Sequence, residues 1–437
     1  MPAQPTWLPP VLYNGPVTSP PLVLGGGIGG ILAAAALHRA GHRPVVLEQD
    51  DLSAAAGVRR GTPQAGQLHN LLTRAQVHLG ELLPGYRDAL LGSGGVEAVV
   101  SQQTHVRELG IAMPERDLGL RLWSAPRTVL EQVARDLLPL GCEIRDRTRV
   151  TGIDVAGGRV TAVHVERNGR AEVLPTDLVV DAMGTLSRAA EWTGSAPPIE
   201  VQPVRQWYCT AVVERPPAWH GRSDFWLIFP DHPDTRGALV SPWGTDRWYV
   251  SLSGVTGGPV PRSPDDLVAF SQALPDPQVG ELLRSARVVV PPRVFGKPTA
   301  VWRHYERQAA PVTGLLPLGD AVGSLNPLFG QGVSVAAWQA AGLAAAARSS
   351  TSTEELTHRH LDQAAAACAA AWALMHVYAP PEGSDLPRLG DNEWQTLAGL
   401  VRADAAAHRR YVGMWHLLEP TSVLRELVPA TSPEIAT

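Results

Sequence analysis

Residues 22–30 read LVLGGGIGG, and this stretch decides the fold of the chain. Three apolar residues predict a short strand, and the glycine-rich turn leads directly into an Ala/Leu-rich segment, Ile31–Ala40. That segment predicts a helix closed by Gly41, and a second strand is predicted at Pro44–Leu47. The strand–turn–helix–strand order predicts a Rossmann-like α/β fold that binds a dinucleotide.

The glycines of the turn have the spacing of a dinucleotide-binding fingerprint. Gly25 permits the tight turn, Gly27 lets the backbone approach a pyrophosphate, and Gly30 lets the helix pack on the strand. Glu48 ends the second strand about 20 residues further on, where an acid binds the ribose hydroxyls. Its charge would repel a 2′-phosphate, so the site favours FAD or NAD over NADP.

The bulk composition excludes several classes of protein. The net charge of −5 and the absence of a Lys/Arg-rich block argue against a nucleic-acid partner. Cys142, Cys209 and Cys368 lack metal-binding spacing, so we expect no metal site and three free thiols in a reducing cytoplasm. We also predict no signal peptide and no transmembrane segment.

Further elements follow along the chain. A meander of strands is predicted at Glu143–Val150, Val160–Glu166 and Glu172–Val180. Aromatic-rich strands that predict a separate antiparallel sheet lie at Val204–Val213, Asp224–Phe229, Gly237–Val240 and Arg247–Ser253. A strand at Leu315–Leu318 and a helix at Val333–Arg348 follow, and the pattern from Thr353 onward is helical, with a break at Pro380-Pro381.

Two more segments share the order of a known clan. Residues 177–188 read DLVVDAMGTLSR, and residues 319–334 read GDAVGSLNPLFGQGVS. Together with the glycine-rich turn they resemble the class A flavoprotein monooxygenases, the clan of para-hydroxybenzoate hydroxylase and squalene epoxidase. The segment RRGTPQ (59–64), the stretch Trp302–Arg307 and the strand Trp248–Gly254 are similar to polyether-type epoxidases and related natural-product tailoring enzymes.

The resemblance implies FAD as the cofactor and a role for several residues. Arg59 and Arg127 would approach the pyrophosphate, with Arg60 as the alternative to Arg59. Asp320 would bind the ribityl chain, while Pro327 and the backbone of Gly332 and Val333 would lie beside the isoalloxazine. The helix that starts at Val333 would direct its positive end toward the flavin and stabilise the reduced anion.

The resemblance also implies a domain order. It predicts an FAD-binding domain of the glutathione-reductase type, with an inserted antiparallel substrate-binding sheet and C-terminal helices. The predicted units are a Pro-rich arm (1–20), the two parts of the FAD-binding domain (21–199 and 291–350), the sheet (200–290) and a helical region (351–437).

The source of electrons stays open at the sequence level. Aromatic hydroxylases of the clan have Asp-Gly in the second segment, which is linked to NADPH use, whereas this chain has Met183-Gly184. Gly323 and Ser334 also differ from the clan's usual His and Asn. NADPH or NADH is the expected reductant, and a separate flavin reductase is the alternative.

The aromatic strands predict the substrate side of the site. We expect Trp207, Trp226, Phe229 and Trp248 to line a pocket for an apolar polyene, polyketide or polycyclic secondary metabolite, although strand aromatics usually belong to a core. The expected reaction is epoxidation or hydroxylation with O2 through a flavin C4a-hydroperoxide. No side chain is assigned as catalytic.

Other reactions remain open. The alternative is an FAD-containing cyclase or isomerase without net redox chemistry, which Met183 favours. A third hypothesis is a reductase that saturates isoprenoid chains. The missing WxWxIP motif disfavours a halogenase.

Overall fold

The computed structural model describes residues 19–53, 59, 61–220, 224–230, 235–378 and 389–429. The predicted N-terminal arm falls outside this part of the chain, apart from its last two residues. Pro380-Pro381, the predicted helix break, and Arg60 also lie outside the described residues.

The described residues form nineteen strands. In chain order they are β1 (Leu22–Leu24), β2 (Val45–Leu47), β3 (Leu68–Leu71), β4 (Val96–Val99), β5 (Thr104–Glu108), β6 (Ile111–Ala112), β7 (Arg121–Pro126), β8 (Glu143–Arg145), β9 (Thr148–Ala156), β10 (Arg159–Arg167), β11 (Arg170–Pro175), β12 (Val179–Asp181), β13 (Ile199–Glu214), β14 (Phe225–Ile228), β15 (Gly237–Trp243), β16 (Arg247–Val255), β17 (Val288–Arg303), β18 (Leu315–Pro317) and β19 (Gly323–Ser324).

The same residues form twelve α-helices. They are α1 (Ile28–Arg39), α2 (Thr73–Leu82), α3 (Tyr86–Gly92), α4 (Arg127–Asp136), α5 (Ala189–Thr193), α6 (Pro264–Ser271), α7 (Pro277–Ser285), α8 (Gly332–Ser349), α9 (Thr353–Tyr378), α10 (Asp391–Ala403), α11 (Ala405–Trp415) and α12 (Val423–Leu427). None of these helices is long and apolar enough to cross a membrane.

The predicted nucleotide-binding unit is present as a five-stranded parallel sheet. Its strand order is β18-β12-β1-β2-β8, and every neighbouring pair is parallel. The strands β1 and β2 are fully buried, as their uninterrupted apolar sequences indicate. The alanine-rich helices α1 and α8 pack together in the core beside this sheet, because small side chains allow close approach of the two helices. The mixed α/β class with a parallel sheet is therefore confirmed.

The predicted meander is confirmed only in its centre. Strands β9, β10 and β11 form a three-stranded antiparallel sheet. The predicted strand Glu143–Val150 is divided, because Arg147 adopts a left-handed backbone conformation with φ 50°. Its first part, β8, joins the parallel sheet, and so does β12, the end of the predicted strand Glu172–Val180.

The aromatic-rich strands lie in an eight-stranded sheet with the order β19-β17-β13-β16-β15-β14-β5-β6. Pairing is antiparallel except between β14 and β5. This sheet takes β5 and β6 from far outside the segment predicted to form it. One face packs against α6 and α7 in a closed apolar core.

The C-terminal helices form a further core with the segment that follows β19. Buried side chains of α9 and α11, among them Trp372, Met375 and Trp415, share one apolar core with Phe329. The C-terminal part of the chain therefore contacts the third of the three segments on which the resemblance rests.

Candidate functional site

The glycine-rich turn leaves no space for side chains at two positions. Gly25 has φ +101°, and a Cβ there would lie 2.6 Å from the carbonyl oxygen of Ala182. A Cβ on Gly30 would overlap the carbonyl oxygen of Gly25. The turn is therefore held tightly against the second segment, and α1 begins directly after Gly27 with its first N–H groups unpaired within the helix.

Glu48 lies against this turn. It is buried at the end of β2, and its Oε2 accepts a hydrogen bond from the backbone N–H of Gly26 at 2.8 Å. Its Oε1 accepts from the backbone N–H of Asp50 at 2.9 Å. These bonds fix the carboxylate beside the predicted cofactor turn, which is where a ribose-binding acid is expected.

The two predicted pyrophosphate arginines meet at a third residue. Arg59 donates from Nη2 to Glu131 Oε2 at 2.6 Å, and Arg127 donates from Nε to Glu131 Oε1 at 2.8 Å. Glu131 lies on α4, one turn after Arg127, and its side chain is 2% exposed. Sequence reasoning missed Glu131, although Arg127, Glu131 and Arg135 at i, i+4 and i+8 mark one charged face of the helix.

The surroundings of Gly27 fit a diphosphate. A Cβ built on Gly27 would lie 3.8 Å from both Glu131 Oε1 and Thr62 Cγ2. Because Gly27 has no side chain, its bare backbone faces these two residues. Within the described part of the chain, the buried Thr62 Oγ1 has no hydrogen-bond partner, and the buried Arg59 Nη1 forms no hydrogen bond although it lies 3.2 Å from Glu48 Oε2. Buried donors without partners are costly, and a phosphate oxygen is a suitable acceptor for both.

Asp320 lies where the second and third segments meet. Asp320 follows β18. A Cβ built on Gly184 would lie 4.0 Å from the Cβ of Asp320. Burial raises the pKa of Asp320, while the cations Lys297 and Arg127 and a hydrogen bond from Thr185 oppose this rise. The predicted ribityl ligand thus has both a hydroxyl and cations close by.

Lys297 is a site residue that sequence reasoning did not assign. It is the only lysine of the chain, lies on β17 and donates from Nζ to the buried Ser324 Oγ. Ser324 Oγ also lies 3.1 Å from Thr185 Oγ1. The Lys297 side chain therefore reaches from β17 to the second and third segments.

Residues 326–332, called here the 326–332 loop, lead into α8. Asn326 Oδ1 accepts from the backbone N–H of Leu328 at 3.0 Å, which starts a tight turn at Pro327. Gln331 Nε2 donates to the carbonyl oxygen of Trp415 at 3.0 Å and anchors the loop to α11. Pro327 is exposed and Gly332 is half-buried, so a bound ring can reach both residues, while Val333 is buried.

Three of the predicted pocket residues occupy a core. Trp207, Trp226 and Trp248 are 5%, 1% and 0% exposed and pack beneath α6 and α7. Trp219 meets Trp226 and Trp248 edge to face, with centroid distances of 5.3 and 5.2 Å. Contrary to the sequence-based expectation, these three side chains therefore lie on the sheet face that is closed to a substrate.

Phe229, the fourth predicted pocket residue, lies elsewhere. Its ring centroid is 4.7 Å from that of Trp415, which in turn lies 5.3 Å from Phe329 of the 326–332 loop. Tyr378 completes this aromatic cluster at 5.0 Å from Trp415, and burial raises its pKa. Phe229 therefore belongs to the apolar surroundings of the loop.

The opposite face of the eight-stranded sheet carries hydroxyl groups on β13 and β16. The Tyr208 hydroxyl oxygen lies 2.5 Å from Gln206 Oε1, the nearer acceptor of its proton, and 3.1 Å from Asn326 Oδ1. Thr210 donates from Oγ1 to Gln67 Oε1, and its oxygen lies 3.0 Å from Ser251 Oγ. We call Tyr208, Thr210 and Ser251 the hydroxyl strip. Sequence reasoning missed Thr210 and Ser251, although they alternate with core residues along β13 and β16.

Comparison with known proteins places these features in a family. A family model described as FAD dependent oxidoreductase matches residues 120–351. Protein Rv3254 of Mycobacterium tuberculosis (strain ATCC 25618 / H37Rv) is 26% identical over 344 residues, which cover 73% of this chain and 71% of that protein.

Solved structures show a similar fold. A flavoprotein/dehydrogenase from Cytophaga hutchinsonii superposes with a TM-score of 0.67 at 16% identity and covers 91% of this chain and 92% of its own. PqsL, a probable FAD-dependent monooxygenase from Pseudomonas aeruginosa, has a TM-score of 0.61 at 20% identity and covers 91% of this chain and 99% of its own. At these identities the likeness concerns the fold alone. Among the described residues, no cluster of His, Cys, Asp and Glu side chains is suited to hold a metal ion.

Proposed function

We propose that this chain, which belongs to the FAD-dependent oxidoreductase family, is a monooxygenase that transfers one oxygen atom from O2 to an unsaturated or aromatic organic substrate. As a member of that family it is an FAD-dependent oxidoreductase. The single observation that supports the proposal best is the convergence of three distant segments on one site. The turn at Gly25 touches Ala182, Gly184 adjoins Asp320, and the 326–332 loop bonds to Tyr208.

The proposed roles follow the groups that FAD would present. Glu48 binds the adenosine ribose, Arg59 and Arg127 bind the diphosphate, and Asp320 binds the ribityl hydroxyls. The backbone that opens α8 at Gly332 and Val333 directs unpaired N–H groups at the ring system. When bound, the reduced flavin supplies the activation of O2, and the chain orients the substrate and excludes water.

The surroundings of the 326–332 loop refine the proposed substrate. The aromatic cluster around Phe229 offers an apolar wall, and the hydroxyl strip offers hydrogen bonds on the sheet side. We propose a polyene, polyketide or polycyclic substrate that carries at least one hydroxyl or carbonyl group. The resemblance of residues 59–64 to polyether-type enzymes supports epoxidation, and hydroxylation of an aromatic ring is the other form of the same reaction.

A cyclase or isomerase is the second candidate. Met183 stands where hydroxylases of the clan have Asp, and it packs with the apolar side chains that surround the parallel sheet. This position offers no acid for contact with a nicotinamide nucleotide. Reduction by NADPH or NADH, directly or through a partner flavin reductase, is therefore part of the monooxygenase proposal that needs its own test.

The test begins with an anaerobic titration of the purified holoprotein with NADPH and with NADH, followed by its visible spectrum. Loss of the flavin absorbance after about one equivalent of NADPH or NADH supports direct reduction. Consumption of O2 is then measured when air is readmitted. A flavin that stays oxidised with both nucleotides, but is reduced when a flavin reductase is added, supports the partner route.

Labelled oxygen then separates the two candidates. The reduced holoprotein is mixed with 18O2 and a panel of polyenes and polycyclic phenols, and products are analysed by mass spectrometry. A gain of one 18O atom supports monooxygenation. A rearranged product of unchanged mass, formed equally with oxidised and reduced flavin, would contradict it and favour the cyclase.

A further inference from the structure

Glu131 is an unexpected acid in a site that should receive a dianion. Its carboxylate is buried among three arginines, with Arg59 and Arg127 in direct hydrogen bonds and Arg135 Nη1 at 3.9 Å from Oε2. A cofactor diphosphate is repelled by a carboxylate, so the acid weakens binding unless it also organises the groups that bind the diphosphate.

The hydrogen bonds divide the donors of the two arginines. Glu131 accepts hydrogen bonds from Nη2 of Arg59 and from Nε of Arg127. Arg59 Nη1 is buried and forms no hydrogen bond, although it is ion-paired to Glu48 Oε2 at 3.2 Å, and no described residue accepts a hydrogen bond from the terminal nitrogens of Arg127. Each guanidinium thus keeps donors available for a second anion, in a planar fork that suits phosphate oxygens.

The position of the carboxylate fixes where those donors can act. Glu131 Oε1 lies 3.8 Å from the point where a Cβ of Gly27 would be, so both arginines are held beside the bare backbone of the turn. Without Glu131, two long side chains that come from different parts of the chain would have to be ordered by the cofactor itself. Each side chain ordered in this way loses rotamer freedom on binding, which weakens the affinity for the cofactor.

The charges around Glu131 are balanced before the cofactor arrives. Arg59, Arg127 and Arg135 carry three positive charges, and Glu48, Asp50 and Glu131 carry three negative ones, so the diphosphate would be bound by the hydrogen-bond donors of the arginines and not by a net charge. The guanidiniums of Arg127 and Arg59 outweigh the effect of burial and hold the pKa of Glu131 below its ordinary value. Glu131 is therefore ionised at neutral pH.

We infer that Glu131 is a positioning residue for the FAD diphosphate: it orients Arg59 and Arg127 so that their remaining N–H groups face Gly27. It does not itself touch the cofactor's reacting ring. The inference rests on FAD binding, which follows from family membership, and is independent of the reaction proposed above.

The test compares the affinity of deflavinated protein for FAD and for riboflavin, which lacks the diphosphate, by flavin fluorescence. Glu131→Gln should raise the Kd for FAD about 10- to 100-fold, the loss expected when one to two charge-assisted hydrogen bonds are disordered. The Kd for riboflavin should stay within about twofold of wild type. Glu191→Gln, which removes an exposed glutamate bonded to Arg188, is the matched control and should change neither value.

Glu131→Asp separates positioning from charge. It keeps the charge but draws the carboxylate back, so it should also weaken FAD binding, and an affinity equal to wild type would overturn the inference. FAD binding by Glu131→Gln that equals or exceeds wild type would overturn it as well, because Glu131 would then only compete with the diphosphate. If Glu131→Gln is not soluble, Glu131→Gln/Arg135→Gln restores the charge balance of the cluster and should show the same selective loss for FAD.

Discussion

The two faces of the eight-stranded sheet differ although the same strands build both. Along β13, Trp207 and Cys209 face the core under α6 and α7, whereas Tyr208 and Thr210 face Asn326 and Gln67. On β16 the core residue Trp248 alternates in the same way with Tyr249. Because side chains of a strand point to alternate faces, one strand can serve stability on one side and recognition on the other.

The largest expected effect is a loss of stability when the packing of the apolar face is disrupted. Trp248→Ala removes a fully buried indole from the core under α6 and α7, and it should lower the free energy of unfolding by about 3–5 kcal/mol. Urea denaturation followed by fluorescence measures this loss. Tyr249→Ala, one residue further and on the other face, should cost less than about half as much. Equal losses would show that the two faces do not divide these tasks.

A smaller effect is expected from a glycine that makes room for an aromatic ring. Gly254 and Gly296 flank Trp207 on neighbouring strands. A Cβ on Gly254 would lie 2.6 Å from Trp207 Cζ2, whereas a Cβ on Gly296 would meet nothing within 4 Å. Gly254→Ala should therefore destabilise the protein by about 1–3 kcal/mol, because the indole must shift in a packed core.

Gly296→Ala is the control for this change. Its new methyl group enters open space, so thermal unfolding should stay near that of wild type. A large loss in Gly296→Ala, or none in Gly254→Ala, would contradict the packing assigned to the apolar face.

The sequence was most informative where the fold is built from local units. The strand β1, the turn at Gly25 and the strand β2 could be predicted closely, because each depends on residues within about 30 positions. The predicted strand Glu143–Val150 was too long, because the left-handed conformation of Arg147 leaves no mark in an apolar pattern. Arginine rarely adopts this conformation, so no rule of composition would have placed the break there.

The site was less predictable because its groups come from distant segments. The alternation of Trp207 and Tyr208 shows that they lie on different faces, but only the packing of α6 and α7 shows which face is closed. The abundance of tryptophan therefore predicted a pocket where the structure has a core. The role of Glu131 could not be predicted for the same reason: it depends on a contact between distant residues, since its partner Arg59 lies 72 positions away.

The hydroxyl strip should influence substrate turnover more than stability. Tyr208→Phe keeps the ring and removes the hydroxyl that lies beside Gln206 Oε1 and Asn326 Oδ1. We expect kcat/KM for an oxygenated substrate to fall about tenfold, the effect of losing roughly 1.4 kcal/mol of transition-state stabilisation. Trp207→Phe is the mirror-image change on the closed face, and it should reduce stability while leaving kcat/KM near wild type. Steady-state O2 consumption and thermal unfolding of both variants would decide the comparison, and the reverse pattern would contradict it.

The smallest expected effect concerns the bond between two hydroxyls of the strip. Thr210→Val is nearly isosteric, but it removes the donor to Gln67 Oε1 and the partner of Ser251 Oγ. Thr210 and Ser251 are buried and Gln67 is half-buried, so we expect a loss of about 0.5–1.5 kcal/mol in the free energy of unfolding. A double-mutant cycle with Ser251→Ala should give a coupling energy of about 0.5 kcal/mol or more, because the two residues share one hydrogen bond. Strict additivity would mean that the strip is a row of independent hydroxyls, and its fixed geometry could then not explain discrimination between substrates.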